Sequence, residues 1–252
     1  NIIMNYKIVI PSLSRVTILK KRTLAMLEKH NIKKSIVYIF VVEEEANDYY
    51  KELHGYNIIV GKKGISEQRT FISNYFDEDQ PLISLDDDIK DIYELEGKAL
   101  KPLKDLSKLF KNTLNLLDFE GCRCAGIYPV KNPFYMRNHY SINLSFCIGQ
   151  VRFFLNTREI ETTRLYTLLE DYETSLYYYV YNGKIVRLNN ICADADYNKL
   201  SGGLSSITNR DYDIKKKEVL DFYNQYQDFC WVNDRVTSSG EKKIDIRFKR
   251  TV

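Results

Sequence analysis

Tryptophan occurs once in these 252 residues, proline five times, glycine eleven times and histidine three times. With so few chain breakers there is no Pro/Gly/Ser-rich linker, no low-complexity tract and no internal repeat, and nothing in the pattern asks for a domain boundary. Cysteine is scarce and odd in number: Cys122, Cys124, Cys147, Cys192 and Cys230 include no Cys-x-x-Cys pair and stand near no His cluster, so they read as reduced thiols and not as a zinc or disulfide framework. No run reaches the roughly 18 consecutive apolar residues of a membrane helix, and the amino end lacks the apolar core of a signal peptide. These absences lead us to expect a soluble cytoplasmic protein without a membrane partner. Charge of one sign is missing as well. Lys and Arg number 37 against 34 Asp and Glu, a net charge of +3, so any contact with a polyanion has to be local.

What is present is enough apolar material, 44% of the chain, for one well-buried core. The first third alternates short apolar runs with helical patterns: strands at Lys7–Ile10, Ser35–Val42, Asn57–Val60 and Leu82–Leu85, helices at Thr17–Lys29, Glu43–Leu53 and Ser66–Phe76. That is βαβαβαβ, an α/β class with a mostly parallel, Rossmann-type sheet and helices on both faces. Ligands of such sheets sit at the carboxyl ends of the strands. From about residue 100 the pattern changes to α+β: a helix near Leu103–Leu117, strands near Cys124–Pro129 and Leu144–Phe154, a helix near Arg164–Val180 and a strand Ile185–Leu188. We expect one domain over residues 1–252, with a ligand-binding half up to residue 100 and a catalytic or acceptor half from 101.

The unusual residues fall at the strand ends. Leu82–Leu85 runs into Asp86-Asp87-Asp88, three adjacent carboxylates that repel and raise one another's pKa unless a cation or donors offset them. Asp86 and Asp88, two apart in extended chain, point the same way and can share one hard ion such as Mn²⁺ or Mg²⁺. The plainer alternative is a helix amino-terminal cap before Ile89. Gly61-Lys62-Lys63-Gly64-Ile65-Ser66-Glu67-Gln68-Arg69 reads as a glycine loop entering a helix, a place for phosphate, or else as an ordinary capped turn with Arg69 in a surface ion pair. Pro11-Ser12-x-x-Arg15 and Glu43-Glu44-Glu45 open on the same crevice. Farther on, Glu170-Asp171 lies in an apolar, Tyr-rich helical pattern, so one acid faces inward. An inward carboxylate without a metal is a candidate general base, and the outward one is solvated. Gly202-Gly203-Leu204 is a loop suited to covering an acceptor, or simply a loop. His139 is the one histidine to weigh as a metal ligand, with Asp194 and Asp196 as rivals. The basic stretches Lys215-Lys216-Lys217 and Lys242–Arg250 can meet phosphates, whereas the alternation of Ile244, Ile246 and Phe248 reads as an edge strand.

Gly64, Arg69 and Asp86–Asp88, joined by a buried strand, resemble the nucleotide-sugar half of GT-A glycosyltransferases. Ile10-Pro11-Ser12-x-x-Arg15, Ile39-Phe40-Val41 before Glu43, Gly126-Ile127-Tyr128-Pro129-Val130-x-Asn132-Pro133-Phe134, Glu170-Asp171 and Gly202-Gly203-Leu204 resemble, more narrowly, the TET/JBP-associated glycosyltransferases, which include the base J glucosyltransferase and the glycosyltransferase-like domain of the GREB proteins. The resemblance implies sugar transfer from a UDP-sugar to a hydroxymethyl-pyrimidine in DNA, in phages, large viruses and kinetoplastids. By position it implies Pro11, Ser12, Arg15 and Glu43 near the nucleoside. It puts Gly61, Lys63, Gly64, Arg69 and Asp87 around the nucleotide-sugar, Asp86 and Asp88 at a divalent metal, Asp171 with Glu170 as base, and Gly202 and Gly203 at the acceptor. A GT-A transferase acting on protein, lipid or glycan, and a non-catalytic binding module, are the competing readings.

Overall fold

A computed structural model of the chain describes residues 5–195, 212–237, 240 and 242–249. Strand β1 (Lys7–Pro11) leads through Arg15 into a helical stretch, residues 16–29. It is built from α1 (Val16–Leu19), a π-helical segment Lys20–Leu24 and α2 (Ala25–Lys29). Then come β2 (Val37–Val41), a 3-10 turn Glu43–Glu45, α3 (Ala46–Glu52), β3 (Asn57–Val60), α4 (Ile65–Tyr75) and β4 (Pro81–Leu85). β1 pairs in parallel with both β2 and β4, and β2 with β3, as the βα alternation dictates.

Beyond β4 the chain forms β5 (Ile89–Glu96), β6 (Ala99–Pro102), α5 (Leu106–Glu120), β7 (Cys124–Tyr128), β8 (Tyr140–Ser141), β9 (Val151–Leu155), α6 (Arg158–Glu161), α7 (Glu170–Asn182) and β10 (Val186–Ala195). All ten strands join one sheet in the order β3-β2-β1-β4-β9-β7-β10-β5-β6, with β8 alongside β10. β9 runs antiparallel to β4 and β7, so its amino end, Val151, lies opposite Leu85, the last residue of β4. That pairing carries residues 149 and 150 to the rim formed by the carboxyl ends of the parallel strands.

Alternation along β1 divides the core between the two faces of the sheet. Ile8 and Ile10 pack with Leu19, Leu27, Tyr49, Phe110 and Phe153 on one face; Val9 packs with Phe40, Ile72, Phe154 and Tyr178 on the other. Helices therefore cover both faces, as expected. A further apolar cluster joins Leu169 and Leu176 of α7 to Val219 and Phe222 of α8 (Tyr212–Tyr226) and to the hairpin of β11 (Cys230–Val236) and β12 (Lys242–Phe248). No described helix is long and apolar enough to cross a membrane. All five cysteines are free and buried.

Several sequence expectations shift. The helix placed at Leu103–Leu117 runs Leu106–Glu120, because the Asp105 carboxylate accepts from Lys108 N at 2.8 Å at its start and Gly121, at φ 64°, ends it. The strand read at Leu144–Phe154 begins only at Val151. The helix read from Arg164 begins at Glu170. Asp86–Asp88 do not cap a helix: Ile89 starts β5, which returns as β6 through a turn at Gly97, φ 63°.

Candidate functional site

The Asp86-Asp87-Asp88 turn is tied down from three sides. Thr23, at the π-helical segment, donates its hydroxyl to Asp86 O at 2.7 Å and accepts from Ile89 N at 3.0 Å, bridging the two ends of the triad. The Asp87 carboxylate turns inward: it accepts from Ser12 Oγ at 2.8 Å and from Arg15 Nη1 at 3.1 Å. Ser12 meets the Tyr49 hydroxyl at 2.8 Å, and Arg15 also reaches Asp88 at 3.5 Å. The two segments singled out in the sequence, Pro11–Arg15 and the triad, are thus one hydrogen-bonded unit. A third backbone tie runs from Asp86 N to Gln150 O at 3.0 Å. The extended-chain geometry assumed for Asp86 and Asp88 is replaced by a turn, yet the two remain close enough that Asp88 is a main charge acting on Asp86.

Asp86 differs from its neighbours. Its carboxylate has no hydrogen-bond or ion-pair partner among the described residues, and burial, reinforced by Asp88, pushes its pKa to about 8. Burial also raises Asp87, against the pull of Arg15 and Ser12. A carboxylate held half-buried beside a second one, with no ion-pair partner among the described residues and only the field of Arg69 to offset it, can take up an external cation. Among the described residues no third His, Cys, Asp or Glu joins the pair. His139 lies at β8, its Nδ1 against Tyr140 O, and Asp194 pairs with Lys131 at 2.6 Å. Neither is placed in the triad's hydrogen-bonded unit. Asp196, Gly202 and Gly203 lie outside the described residues.

The glycine loop is shaped by contact. Gly61 N bonds Val41 O at 2.8 Å, and a Cβ on Gly61 would stand 2.1 Å from Gln68 Oε1, the atom that accepts from Lys62 N. Gly64, at φ 98°, makes the turn into α4 that a side chain would strain. Lys63 is exposed. Glu43 is exposed on its 3-10 turn, while Glu45, read in the sequence only as part of the Glu43–Glu45 run, accepts from Ser14 N at 2.6 Å and so holds a residue at φ 57°.

Arg69 is not a surface ion pair. Only 5% exposed, it puts Nη2 at 2.8 Å from Glu170 and 3.9 Å from Asp171, and its Nε and Nη1, buried from solvent, have no hydrogen-bond partner among the described residues. Behind it, Glu170 also faces Arg164 at 3.5 Å, and Glu161 joins Arg152 at 3.0 Å, Arg164, and the Tyr178 hydroxyl at 2.9 Å. Three arginines and three carboxylates from β9, α4, α6, α7 and the loop before α7 form one ionic network. Of these, only Arg69, Glu170 and Asp171 were singled out by the sequence. Arg152 left one signal, a cation inside the apolar run Val151–Leu155.

The network sorts the acidic pair, in the opposite sense to the sequence expectation. Glu170 is the inward acid, and although burial opposes its charge, Arg69 and Arg164 outweigh that and hold its pKa below the usual carboxylate range. Asp171 is the more exposed acid and accepts from Gly149 N at 2.9 Å; burial and then Glu170 push its pKa up. Asp171 is among the charges that act on Asp86. Gly149 is required here, because a Cβ would lie 2.4 Å from Asp171 Oδ1 and 2.7 Å from Arg69 Nη2. A carboxylate raised in pKa, a carboxylate unpartnered among the described residues and a buried arginine with two unsatisfied donors thus share one rim of the sheet.

The family model of the TET-Associated Glycosyltransferases matches residues 6–203. The chain belongs to that family. None of the curated proteins compared with it matches. Among solved structures, a mycobacterial protein is similar at 8% identity and a TM-score of 0.54, with 98% of this chain and 84% of that one covered. A putative nucleotide-diphospho-sugar transferase from Desulfovibrio desulfuricans is similar at 10% identity and a TM-score of 0.45, covering 73% and 79%. The bifunctional IspDF from Campylobacter jejuni has 10% identity and a TM-score of 0.45, and the 74% of this chain that matches spans half of that one. The fold of this glycosyltransferase is a mixed α/β one, with helices on both faces of a large central sheet.

In this glycosyltransferase, replacing Arg69 by alanine is expected to leave Glu170 buried with one cation fewer. Such a loss costs well over the about 1 kcal/mol of an exposed pair. Both the melting temperature and UDP affinity should fall; if neither changes, Arg69 is a surface residue in all but position.

Proposed function

We propose that this glycosyltransferase moves a sugar from a UDP-sugar to the hydroxyl of a hydroxymethyl-pyrimidine, 5-hydroxymethylcytosine or 5-hydroxymethyluracil, in DNA, with inversion at the anomeric carbon. The observation that carries this reading is the placement of Asp171, half-buried, raised in pKa, held by Gly149 N and close enough to act on the charge of Asp86, which has no partner among the described residues. The family membership supplies the reaction class. Residues 1–100 hold the donor and residues 101–252 the acceptor, as one domain.

Asp171 takes the proton of the acceptor hydroxyl. The freed oxygen bonds the anomeric carbon, the bond from that carbon to the β-phosphate oxygen breaks, and UDP leaves with its electron pair. Arg69, buried and paired with Glu170, offsets charge on the diphosphate through its field. Pro11, Ser12, Arg15 and Glu43 line the nucleoside end, with Gly61, Lys63 and Gly64 beside the phosphates. Asp87 contributes by fixing Ser12 and Arg15 rather than by touching the donor. Gly202 and Gly203, which lie outside the described residues, are assigned to the acceptor by the family resemblance alone.

The residues present fit a divalent cation, Mn²⁺ or Mg²⁺. Asp86 and Asp88 supply two hard oxygen donors and an uncompensated negative charge, and the donor's diphosphate offers the rest of a shell. When bound, the ion offsets charge on the diphosphate. UDP binding is therefore expected to vanish in excess chelator, as calorimetry would show; equal binding with and without chelator would remove the metal from the site.

The deciding experiment is mass spectrometry of DNA containing hydroxymethylcytosine or hydroxymethyluracil after incubation with the protein, a panel of UDP-sugars and Mn²⁺. A mass increase of one sugar on the modified base is expected. Hydrolysis of UDP-sugar with neither DNA gaining mass would put the acceptor elsewhere, among proteins, lipids or glycans.

A further inference from the structure

The hairpin β11–β12 lies beyond residue 203, where the family match ends. Its register sets Trp231 opposite Arg247, Asn233 opposite Asp245 and Arg235 opposite Lys243. Alternation puts Ile244 and Ile246 inward, against Leu169 and Leu176 of α7. The outward face then displays Trp231, Arg235, Lys243, Arg247 and Lys249 around a single carboxylate, Asp245. That carboxylate is already engaged by Lys215 and by Arg235 at 3.8 Å. Trp231 is 57% exposed, and Lys249 Nζ lies 4.3 Å from its ring centroid. Neither Arg247 nor Lys249 has a carboxylate partner among the described residues.

The chain as a whole carries little net charge, so this is a local concentration of cations on a two-stranded ribbon around the sequence's sole tryptophan. An indole open to solvent beside Arg247 and Lys249 suits a polymer that is both anionic and aromatic: phosphates take the cations, and a base lies on the ring. The ribbon's position is also fixed relative to the crevice. Tyr172, the residue after Asp171, stacks on Phe146 at 4.2 Å and meets Phe248 of β12 at 5.7 Å.

We infer that the outward face of β11–β12 binds a DNA strand through a base stacked on Trp231 and phosphates paired with Arg247 and Lys249, on the side of the hairpin turned away from α7. The choice of DNA rests on the acceptor reading above; the place of binding rests on the ribbon itself.

The lone tryptophan makes the test direct. Its fluorescence is followed while the full-length protein is titrated with unmodified single-stranded DNA, without donor, and the affinity is measured in parallel by anisotropy of a labelled strand. Quenching is expected, with affinity falling as salt rises. Arg247→Gln together with Lys249→Gln should lower the salt slope by about 0.7 for each phosphate that is no longer paired. Trp231→Ala should weaken binding by about 10-fold. All of these variants should hydrolyse UDP-sugar as the parent does, because none touches the crevice. DNA bound equally by parent and variants, with Trp231 unquenched, would overturn the ribbon while leaving a DNA acceptor standing. An RNA strand bound much more tightly than DNA would overturn the choice of polymer. No strand bound, with transfer to a free hydroxymethyl nucleoside intact, would overturn the ribbon alone, and loss of both would overturn the acceptor reading with it.

Discussion

Asp171→Asn is expected to lower sugar transfer by about 10²-fold or more, the usual contribution of a general base, while UDP-sugar binding stays near that of the parent. Asparagine keeps the contact to Gly149 N and removes the proton acceptor. The pH profile adds a second readout. Burial and Glu170 raise the Asp171 pKa, so the active carboxylate forms as pH rises, and the parent's transfer rate should climb through that ionisation. The variant should lack that limb. Glu170→Gln is expected to behave differently, losing stability and donor binding together, because Glu170 is held by Arg69 and Arg164. Near-normal transfer by Asp171→Asn at saturating substrates would leave the reaction without a base on this helix and favour a retaining mechanism.

The largest stability effect is expected at Glu161. Replacing it by alanine strands Arg152 and Arg164, both buried, and removing one member of such a cluster costs about 3–5 kcal/mol. Burial alone would raise the Glu161 pKa, but Arg152 and Arg164 overcome it and bring it from 4.5 down to about 2. A carboxylate lowered on folding contributes stability that is complete above pH 4.5 and is lost as the pH falls toward 2. The shift corresponds to about 3 kcal/mol. Denaturant midpoints measured from about pH 6 to about pH 2 should therefore fall more steeply for the parent than for Glu161→Gln. Parallel curves would mean that the network contributes nothing to acid stability.

The amino-terminal part of the sheet was legible because a strand buried on both faces of a parallel sheet is an apolar run, and the residues that interrupt it, Pro11–Arg15 and Asp86–Asp88, stand where the sheet opens. The β5–β6 hairpin and the ionic network were not. Arg69, Arg152, Glu161 and Glu170 meet only because β9 folds antiparallel onto β4, a pairing that no spacing announces. The early start assumed for α7 has a specific cause. Leu165, Leu168 and Leu169 are apolar at helical spacing, yet Leu165 N and Tyr166 N bond the Glu173 carboxylate at 2.9 and 3.1 Å. Leu168 N and Leu169 N bond Glu218 at 2.6 and 2.9 Å. Carboxylates from 173 and 218 take the amides that a helix would have used, and one of them comes from a distant helix. The exchange of roles between Asp87 and its neighbours is equally a matter of tertiary contact, since three identical residues give no hint which one turns inward.

The shared sequence of the family stops at residue 203, but the packed layer around α7 does not: Val219, Phe222, Ile244 and Ile246 close over Leu169 and Leu176. The edge of likeness therefore runs through the middle of a core. A chimera that swaps the matched portion with a relative's has to carry both sides of that seam, because Leu169 and Leu176, flanking Glu170 and Asp171 along α7, are kept dry by residues the relatives are not shown to share.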